Sequence, residues 1–174
     1  MERVVVFTGL PGTGKSTLAE EVGRRAGVPV FAGDWLLGAI VPHGVLTGVE
    51  RPRLLAMFYD LLGTLVTRQL MLGQSAIVDA VVDDVQAERW ERTAVQYGAE
   101  FRLIECVCRD EAVHRERLEG RRRGIPGWHE VGWNHVERMR AEFPGVTREH
   151  LTIDAMDPLA ENVESVCRSI GVLE

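Results

Sequence analysis

The chain has 174 residues, of which 45% are hydrophobic and 26% are charged, so the composition is that of an ordinary globular protein. A formal net charge of −6 argues against a broad nucleic-acid-binding surface, which requires a basic face. No apolar run approaches the roughly 20 residues of a membrane-spanning helix, and the first buried strand begins too early for a secretory leader. A single cytoplasmic domain over residues 1–174 is expected.

Apolar strands alternate with amphipathic helices along the whole chain. Strands are predicted over residues 4–8, 28–32, 74–79, 101–107 and 150–154. Helices are predicted over residues 14–26, 35–40, 53–72, 84–97, 110–120, 131–143 and 158–170. Asp84 is the predicted cap of the fourth helix, and Pro144 follows the sixth helix. This alternation predicts a three-layer α/β fold, with a five-stranded parallel sheet and helices on both faces.

A phosphate-binding motif joins the first strand to the first helix. Residues 9–16 read Gly-Leu-Pro-Gly-Thr-Gly-Lys-Ser and match G-x-x-x-x-G-K-[ST] at every fixed position. Its glycines let backbone N–H groups and a helix N-terminus surround an anion. Lys15 would reach the β- and γ-phosphates, and the Ser16 hydroxyl would hold Mg²⁺. Lys15 is also the only lysine of the chain, placed where a compact ammonium suits a phosphate.

The motif therefore predicts a nucleoside-triphosphate site. The residues expected to contact the nucleotide from this region are Gly9, Pro11, Gly12, Thr13, Gly14, Lys15, Ser16 and Thr17.

Two carboxylates follow the next two predicted strands. Ligands of such sheets bind outside the carboxyl ends of the strands, so Asp34, Asp79 and the phosphate loop should converge there. Asp79 would hold Mg²⁺ or one of its waters, or else only end its strand. Asp34 would accept the proton of an acceptor hydroxyl as a general base, or else cap the helix that follows.

An arginine-rich segment supplies the positive charge that phosphoryl transfer needs. Its members are Arg115, Arg117, Arg121, Arg122 and Arg123. The glycines and proline at 124–127 would let it close as a lid, which we place at about residues 115–140. The alternative is a solvated helix face whose arginines pair with neighbouring glutamates. Trp128 and Trp133 flank this lid, where core packing and base stacking are equally expected.

The phosphate loop, Asp34 and Asp79 together resemble the P-loop kinases of small hydroxylic substrates, which include zeta-toxin-like, chloramphenicol-phosphotransferase-like and polynucleotide-kinase-like proteins. Residues 33–37, Gly-Asp-Trp-Leu-Leu, are similar to the segment that carries the acceptor base in the chloramphenicol enzymes, which implies that role for Asp34. Polynucleotide-kinase-like members carry an arginine three residues after the base, where this chain has Leu37.

Residues 117–121, Arg-Leu-Glu-Gly-Arg, resemble an adenylate-kinase-type lid. The resemblance implies that Arg117 packs on the adenine and that Arg121 contacts the nucleotide phosphates. It also implies an adenine loop at residues 154–158, for which an ordinary turn is an equal alternative.

The sequence thus predicts a kinase that uses ATP and Mg²⁺ and transfers the γ-phosphoryl group to an alcohol group of a nucleoside, sugar or antibiotic-like molecule. The expected catalytic residues are Lys15, Asp34, Arg117 and Arg121, and the expected metal ligands are Ser16 and Asp79.

Two alternatives remain open. A nucleotide or polynucleotide 5′-hydroxyl kinase would need a basic acceptor pocket, for which Arg51 and Arg53 are the visible candidates. An ATP-binding regulatory module would have no acceptor. Neither extended nucleic acid nor a membrane is an expected partner, and the sequence leaves the acceptor and the oligomeric state undetermined. The three cysteines, Cys106, Cys108 and Cys167, are expected to be buried reduced thiols rather than metal ligands.

Overall fold

A five-stranded, all-parallel sheet forms the centre of the protein in a computed structural model, which describes residues 1–143 and 145–172. Its strands are β1 (Arg3–Thr8), β2 (Val30–Ala32), β3 (Ala76–Asp79), β4 (Glu100–Val107) and β5 (Leu151–Asp154). They lie in the order β2-β3-β1-β4-β5, and each neighbouring pair is parallel. The predicted sheet is confirmed.

Seven α-helices are present in the described residues. They are α1 (Lys15–Ala26), α2 (Gly33–Ile40), α3 (Arg51–Met71), α4 (Asp84–Gln96), α5 (Glu111–Gly120), α6 (Trp133–Glu142) and α7 (Leu159–Ser169). A short 3₁₀ turn follows α2 at Val41–His43. Each helix and each strand begins and ends within two residues of its predicted bounds. None of the described helices has the length and apolarity that a membrane span requires.

The central strand divides the core into two layers because its side chains alternate between the faces of the sheet. Val4 and Val6 pack with residues of α3 and α4, among them the fully buried Trp90. Val5 and Phe7 face the other way and pack with residues of α1 and α7. The helices therefore cover both faces of the sheet, as the three-layer prediction requires.

The register of the strands brings three predicted site segments to one edge. Asp79, the last residue of β3, pairs with Phe7 of β1 on one side and with Ala32 of β2 on the other. The phosphate loop begins two residues after Phe7, and Asp34 lies two residues after Ala32. The site is therefore placed by the sheet itself.

The start of α4 differs from the prediction by one residue. Asp83, and not Asp84, is the N-cap: its Oδ1 accepts a hydrogen bond from the backbone N–H of Gln86 at 2.8 Å. Asp84 instead accepts hydrogen bonds from the backbone N–H (2.9 Å) and the hydroxyl of Thr147, which lower the pKa of its carboxyl. It thereby ties α4 to the segment before β5. Pro144 lies outside the described residues.

Candidate active site

The phosphate loop can be formed only with glycine at its first position. Gly9 has φ of +135°, and a Cβ there would lie 2.2 Å from the carbonyl oxygen of Cys106 on β4. The Thr13 hydroxyl donates to the carbonyl oxygen of Leu10 at 2.8 Å and closes the loop on itself. Local chain geometry and the neighbouring strand thus shape the loop.

A histidine that the sequence analysis did not single out supports this loop from α5. His114 is 3% exposed, and its Nε2 lies 2.8 Å from the carbonyl oxygen of Pro11. Because a carbonyl only accepts, Nε2 carries the proton. The imidazole packs edge-on against Trp133, with ring centroids 5.1 Å apart, and a Cβ at Gly12 would lie 3.1 Å from it.

Lys15 and Asp79 form a buried ion pair beneath the loop. Lys15 is 8% exposed and Asp79 is 7% exposed, and Lys15 Nζ lies 3.7 Å from Asp79 Oδ1. That oxygen is buried without a hydrogen-bond partner in the part of the chain that the structure describes. A buried carboxylate oxygen left unsatisfied in this way suits a divalent cation or a water bound to it.

The described residues contain no group of three or more His, Cys, Asp or Glu side chains that could hold a metal ion alone. Mg²⁺ at phosphate sites needs no such group, since it is bound through one or two protein ligands together with substrate phosphates and waters. Ser16 and Asp79, which line one cavity, fit that requirement.

A cavity of about 450 Å³, which we call the phosphate cavity, brings most of the predicted residues together. Those in its lining are Gly12, Gly14, Lys15, Ser16, Thr17, Asp34, Asp79, Arg117 and Arg121. Three other predicted residues of the loop are not part of that lining, as far as the described residues show: Gly9 and Thr13 shape the loop, and Pro11 lines a second cavity.

Asp34 lies within the first turn of α2 and is not its cap. The helix begins at Gly33, and its N-cap is Ala32, so the predicted alternative that Asp34 merely caps the helix is wrong. The Asp34 carboxylate forms an ion pair with the guanidinium of Arg123. Arg123 also lies 3.7 Å from Glu130, which is itself part of the lid, so this side chain links the lid to Asp34.

Arg121 provides a second buried cation. Its side chain is 20% exposed, and its Nε and Nη2 atoms are buried with no hydrogen-bond partner among the described residues. Burial, and secondarily the charge of Arg123, lowers the pKa of the guanidinium. Unsatisfied N–H groups on a buried cation are what an incoming phosphoryl group can satisfy.

The other arginines of the lid divide between the two predicted interpretations. Arg117 is exposed, and its Nη1 donates to the carbonyl oxygen of Ala155 at 2.8 Å, so it joins the lid to the turn after β5. Arg122 lines the phosphate cavity. Arg115 pairs with Glu119 one helical turn away, as expected for a solvated helix face.

The lid packs directly on α2 through two glycines. A Cβ at Gly38 would lie 2.5 Å from the carbonyl oxygen of Pro126, and a Cβ at Gly127 would lie 2.2 Å from the carbonyl oxygen of Gly38. Only residues without side chains allow this approach. The lid also has its own small core, formed by Leu118, Val131, Trp133 and Val136. Trp133 is therefore a core residue.

A second cavity, of about 150 Å³, lies between α2, α3, α6 and the lid, and we call it the apolar cavity. Its lining includes the apolar residues Leu37, Leu54, Leu55, Phe58, Met139 and Phe143, together with Trp128. Of the two arginines considered for a basic acceptor pocket, Arg51 lines this cavity, and its Nε lies 2.9 Å from Glu142. Arg53 is exposed and is not part of the described lining.

Comparison with known proteins places this geometry in a family. The sequence model of the AAA domain family (AAA_33) matches residues 4–146, which is most of the chain. The chain belongs to this family. No curated protein sequence matches it.

Solved structures show the same fold over nearly their whole length. A sugar kinase from Janibacter has a TM-score of 0.74 at 14% identity and covers 98% of this chain and 95% of its own. A gluconokinase from Sinorhizobium meliloti has a TM-score of 0.67 at 16% identity, with 97% and 95% covered. The APS kinase CysC from Mycobacterium tuberculosis, in complex with AMPPNP and APS, has a TM-score of 0.66 at 19% identity, with 98% of both chains covered. The fold is thus that of the P-loop kinases, and the narrower resemblance to the zeta-toxin, chloramphenicol and polynucleotide group stays a prediction.

Proposed function

We propose that this protein is a kinase that uses ATP and Mg²⁺ and transfers the γ-phosphoryl group to a hydroxyl of a small molecule. The observation that carries the proposal is that the phosphate cavity and the apolar cavity meet at the same side chains. Lys15, Asp34, Asp79, Arg121 and Arg123 line both. A nucleotide donor in the first cavity and an alcohol in the second would therefore meet at one carboxylate and several cations.

Each of these groups has a part in the transfer. The Asp34 carboxylate accepts the proton of the acceptor hydroxyl, whose oxygen bonds to the γ-phosphorus. The bond from that phosphorus to the β–γ bridging oxygen breaks, and its electron pair leaves with ADP. Lys15 and Arg121 stabilise the charge on the transferred group.

Mg²⁺ held by Ser16 and Asp79 would neutralise part of the phosphate charge when bound. Arg123 is paired with Asp34, so the carboxylate is fully available to a hydroxyl only when Arg123 turns to another anion. The phosphoryl group between the two cavities is suited to that role. Arg117, held against Ala155, is proposed to border the adenine.

The structural neighbours support a small acceptor. Those described above are by name a sugar kinase, a gluconokinase and an APS kinase, the last in complex with AMPPNP. A nucleotide or polynucleotide kinase is less consistent with the apolar cavity, because the one candidate arginine that lines it is already paired with Glu142. A regulatory module without an acceptor does not account for the apolar cavity.

The first test replaces the proposed base. Asp34→Asn should lower transfer from γ-labelled ATP by about 10²–10⁴-fold while calorimetry shows unchanged ATP affinity, because only proton acceptance is removed. Asp60→Asn is the matched control, since that carboxylate is exposed on α3 and pairs with Arg89 away from both cavities. Transfer by Asp34→Asn at the wild-type rate would refute the assignment, and lost ATP affinity would indicate a structural role instead.

A second test removes the phosphate-loop ammonium. Lys15→Ala should lower transfer by more than about 100-fold while circular dichroism shows an intact fold, because the charge on the transferred group loses its closest stabilising cation. Arg24→Ala on the exposed face of the same helix is the control, with a side chain that is 62% exposed. Activity of Lys15→Ala equal to that of the control would contradict the proposal.

A further inference from the structure

The lining of the apolar cavity indicates the chemical class of the acceptor. We infer that the acceptor is an uncharged alcohol whose hydroxyl is carried on an apolar body the size of one ring, with one hydrogen-bond-accepting atom beside that ring. The inference rests on the proposed function and deepens it: the hydroxyl oxygen bonds to the γ-phosphorus, its proton passes to Asp34, and ADP leaves.

The size of the cavity sets the size of the apolar body. The cavity measures about 150 Å³. Apolar protein cavities of roughly 150 Å³ are known to bind benzene. Its walls are aliphatic and aromatic side chains from α2, α3 and α6, and Phe58 and Met139 are buried at 9% and 8% exposure. A single ring therefore fits in the space between these walls.

The same walls disfavour a polyol. Tyr59 lines the cavity, but its hydroxyl already donates to the carbonyl oxygen of Val81 at 2.8 Å. Burial raises the pKa of that phenol further above its usual range, so it stays neutral. A sugar would bury several hydroxyl groups against carbon, and each buried hydroxyl without a partner costs free energy. Five of the charged side chains that line the cavity, Lys15, Asp34, Asp79, Arg121 and Arg123, also line the phosphate cavity, where the transferred group uses them. Few polar groups of the wall are therefore left for further hydroxyls.

The charges around the cavity disfavour an anionic acceptor. Arg51 is paired with Glu142, Arg123 with Asp34, and Lys15 with Asp79. Arg121 lies 3.6 Å from Glu130 and faces the phosphate cavity as well, where the transferred group uses it. Burial, with the charges of Arg138 and Arg51, lowers the pKa of His135, so its imidazole is neutral near neutral pH. A phosphate or carboxylate on the acceptor would therefore compete for these cations with their present partners or with the transferred group.

Trp128 is the reason that the inferred acceptor molecule carries a hydrogen-bond-accepting atom. It lines the cavity, and its Nε1 is buried with no hydrogen-bond partner in the described part of the chain. An indole N–H can only donate, and buried donors in native proteins almost always have a partner. A carbonyl or ether oxygen on the acceptor would supply that partner.

The test measures label transfer from γ-labelled ATP to five acceptors: phenethyl alcohol, N-hydroxyethyl benzamide, glucose, gluconate and AMP. The two aromatic alcohols should be phosphorylated with a kcat/KM at least about tenfold above the others, since each buried methylene contributes to the preference. Leu54→Gln places a polar group in the cavity wall and should remove most of that preference. Met57→Gln on the same helix is the control, because Met57 is 40% exposed and is not part of the described lining.

The hydrogen bond is tested with the pair of aromatic alcohols. The benzamide has a carbonyl oxygen that phenethyl alcohol lacks, so wild-type protein should favour it by about five- to tenfold. Trp128→Phe keeps a ring and removes the N–H, and it should abolish that difference, so the ratio of the two kcat/KM values should fall to about one. An unchanged difference would remove Trp128 from the inference.

The outcomes separate this inference from the proposed function. Preferred transfer to glucose, gluconate or AMP would overturn the acceptor class while leaving the kinase proposal intact. A second outcome is that no acceptor is phosphorylated, while calorimetry shows that wild type binds the benzamide and Leu54→Gln does not. This result would overturn the kinase proposal and support the inferred chemical class of the bound molecule. No transfer and no binding would overturn both.

Discussion

The contact between the lid and α2 can be tested by adding one methyl group. Gly38→Ala should separate the lid from the helix, because the new Cβ would lie 2.5 Å from the carbonyl oxygen of Pro126 and 3.1 Å from Ile125 Cγ2. An ordinary contact begins at 3.4 Å, so the lid backbone must move by about 0.9 Å. The obstructing atom is a backbone carbonyl oxygen, so a change of side-chain rotamer cannot relieve the contact.

The expected size of the effect follows from that displacement. Misplacing catalytic groups by about 1 Å can lower the rate by about 100-fold, so kcat/KM should fall by up to that factor. Overpacking lowers the free energy of unfolding by about 1–3 kcal/mol, and replacing glycine by alanine inside a helix raises it by about 1 kcal/mol. The free energy of unfolding should therefore change by no more than about 2 kcal/mol. Activity falls much further than stability.

The assay compares Gly38→Ala with Gly120→Ala at the end of α5, where a Cβ would meet no atom of the described residues within 4 Å. Transfer from γ-labelled ATP gives the catalytic effect, and thermal unfolding gives the stability. Trypsin gives the position of the lid, since cleavage after residues 121–123 should become faster only in Gly38→Ala. Wild-type transfer and wild-type cleavage in that variant would refute the inferred docking.

Two further predictions concern groups around the phosphate loop. His114→Phe keeps a ring against Trp133 but leaves the carbonyl of Pro11 without its donor, a loss of about 1–3 kcal/mol, so calorimetry should show weaker ATP binding; ATP affinity equal to that of wild type would show that the loop does not depend on this bond. Burial raises the pKa of the Cys106 thiol to about 12. At about pH 8 the Cys106 thiol is therefore almost entirely protonated, and native protein should expose a single fast-reacting thiol, that of Cys108, which is half-buried and not buried as the sequence predicts. Fast labelling of a Cys108→Ser variant would contradict this.

The sheet and the phosphate loop were predictable because their signals are local. Each strand is an apolar run that ends at a turn, and the phosphate loop is identified by eight consecutive residues. Asp34 and Asp79 follow from the rule that parallel strands end at one edge, and the register places Asp79 between the strands that lead to the loop and to Asp34. Asp83 and Asp84 show where a local pattern fails, because it does not tell which of two adjacent carboxylates at a helix start is the N-cap.

The lid was predictable as a segment but not residue by residue. Residues 121–123 are three consecutive arginines in an irregular stretch, so no periodicity selects the one that reaches Asp34. Trp128 and Trp133 were equivalent in sequence, and only the fold places one in the lid core and the other in the wall of the apolar cavity. These choices depend on contacts between residues that are far apart in the chain.

The contact between Gly38 and the lid also bears on why Arg123, of the three consecutive arginines, pairs with Asp34. Asp34 and Gly38 are four residues apart on α2, so they lie on one face of the helix, about 6 Å apart along its axis. The lid contacts this face at both residues, through Arg123 at Asp34 and through Pro126 and Gly127 at Gly38. A lid that rests on Gly38 thereby brings Arg123, and neither of the two preceding arginines, to the carboxylate. We therefore expect Gly38, which has no functional side chain, to determine which cation meets the proposed base, and displacing the lid there should release that carboxylate as well.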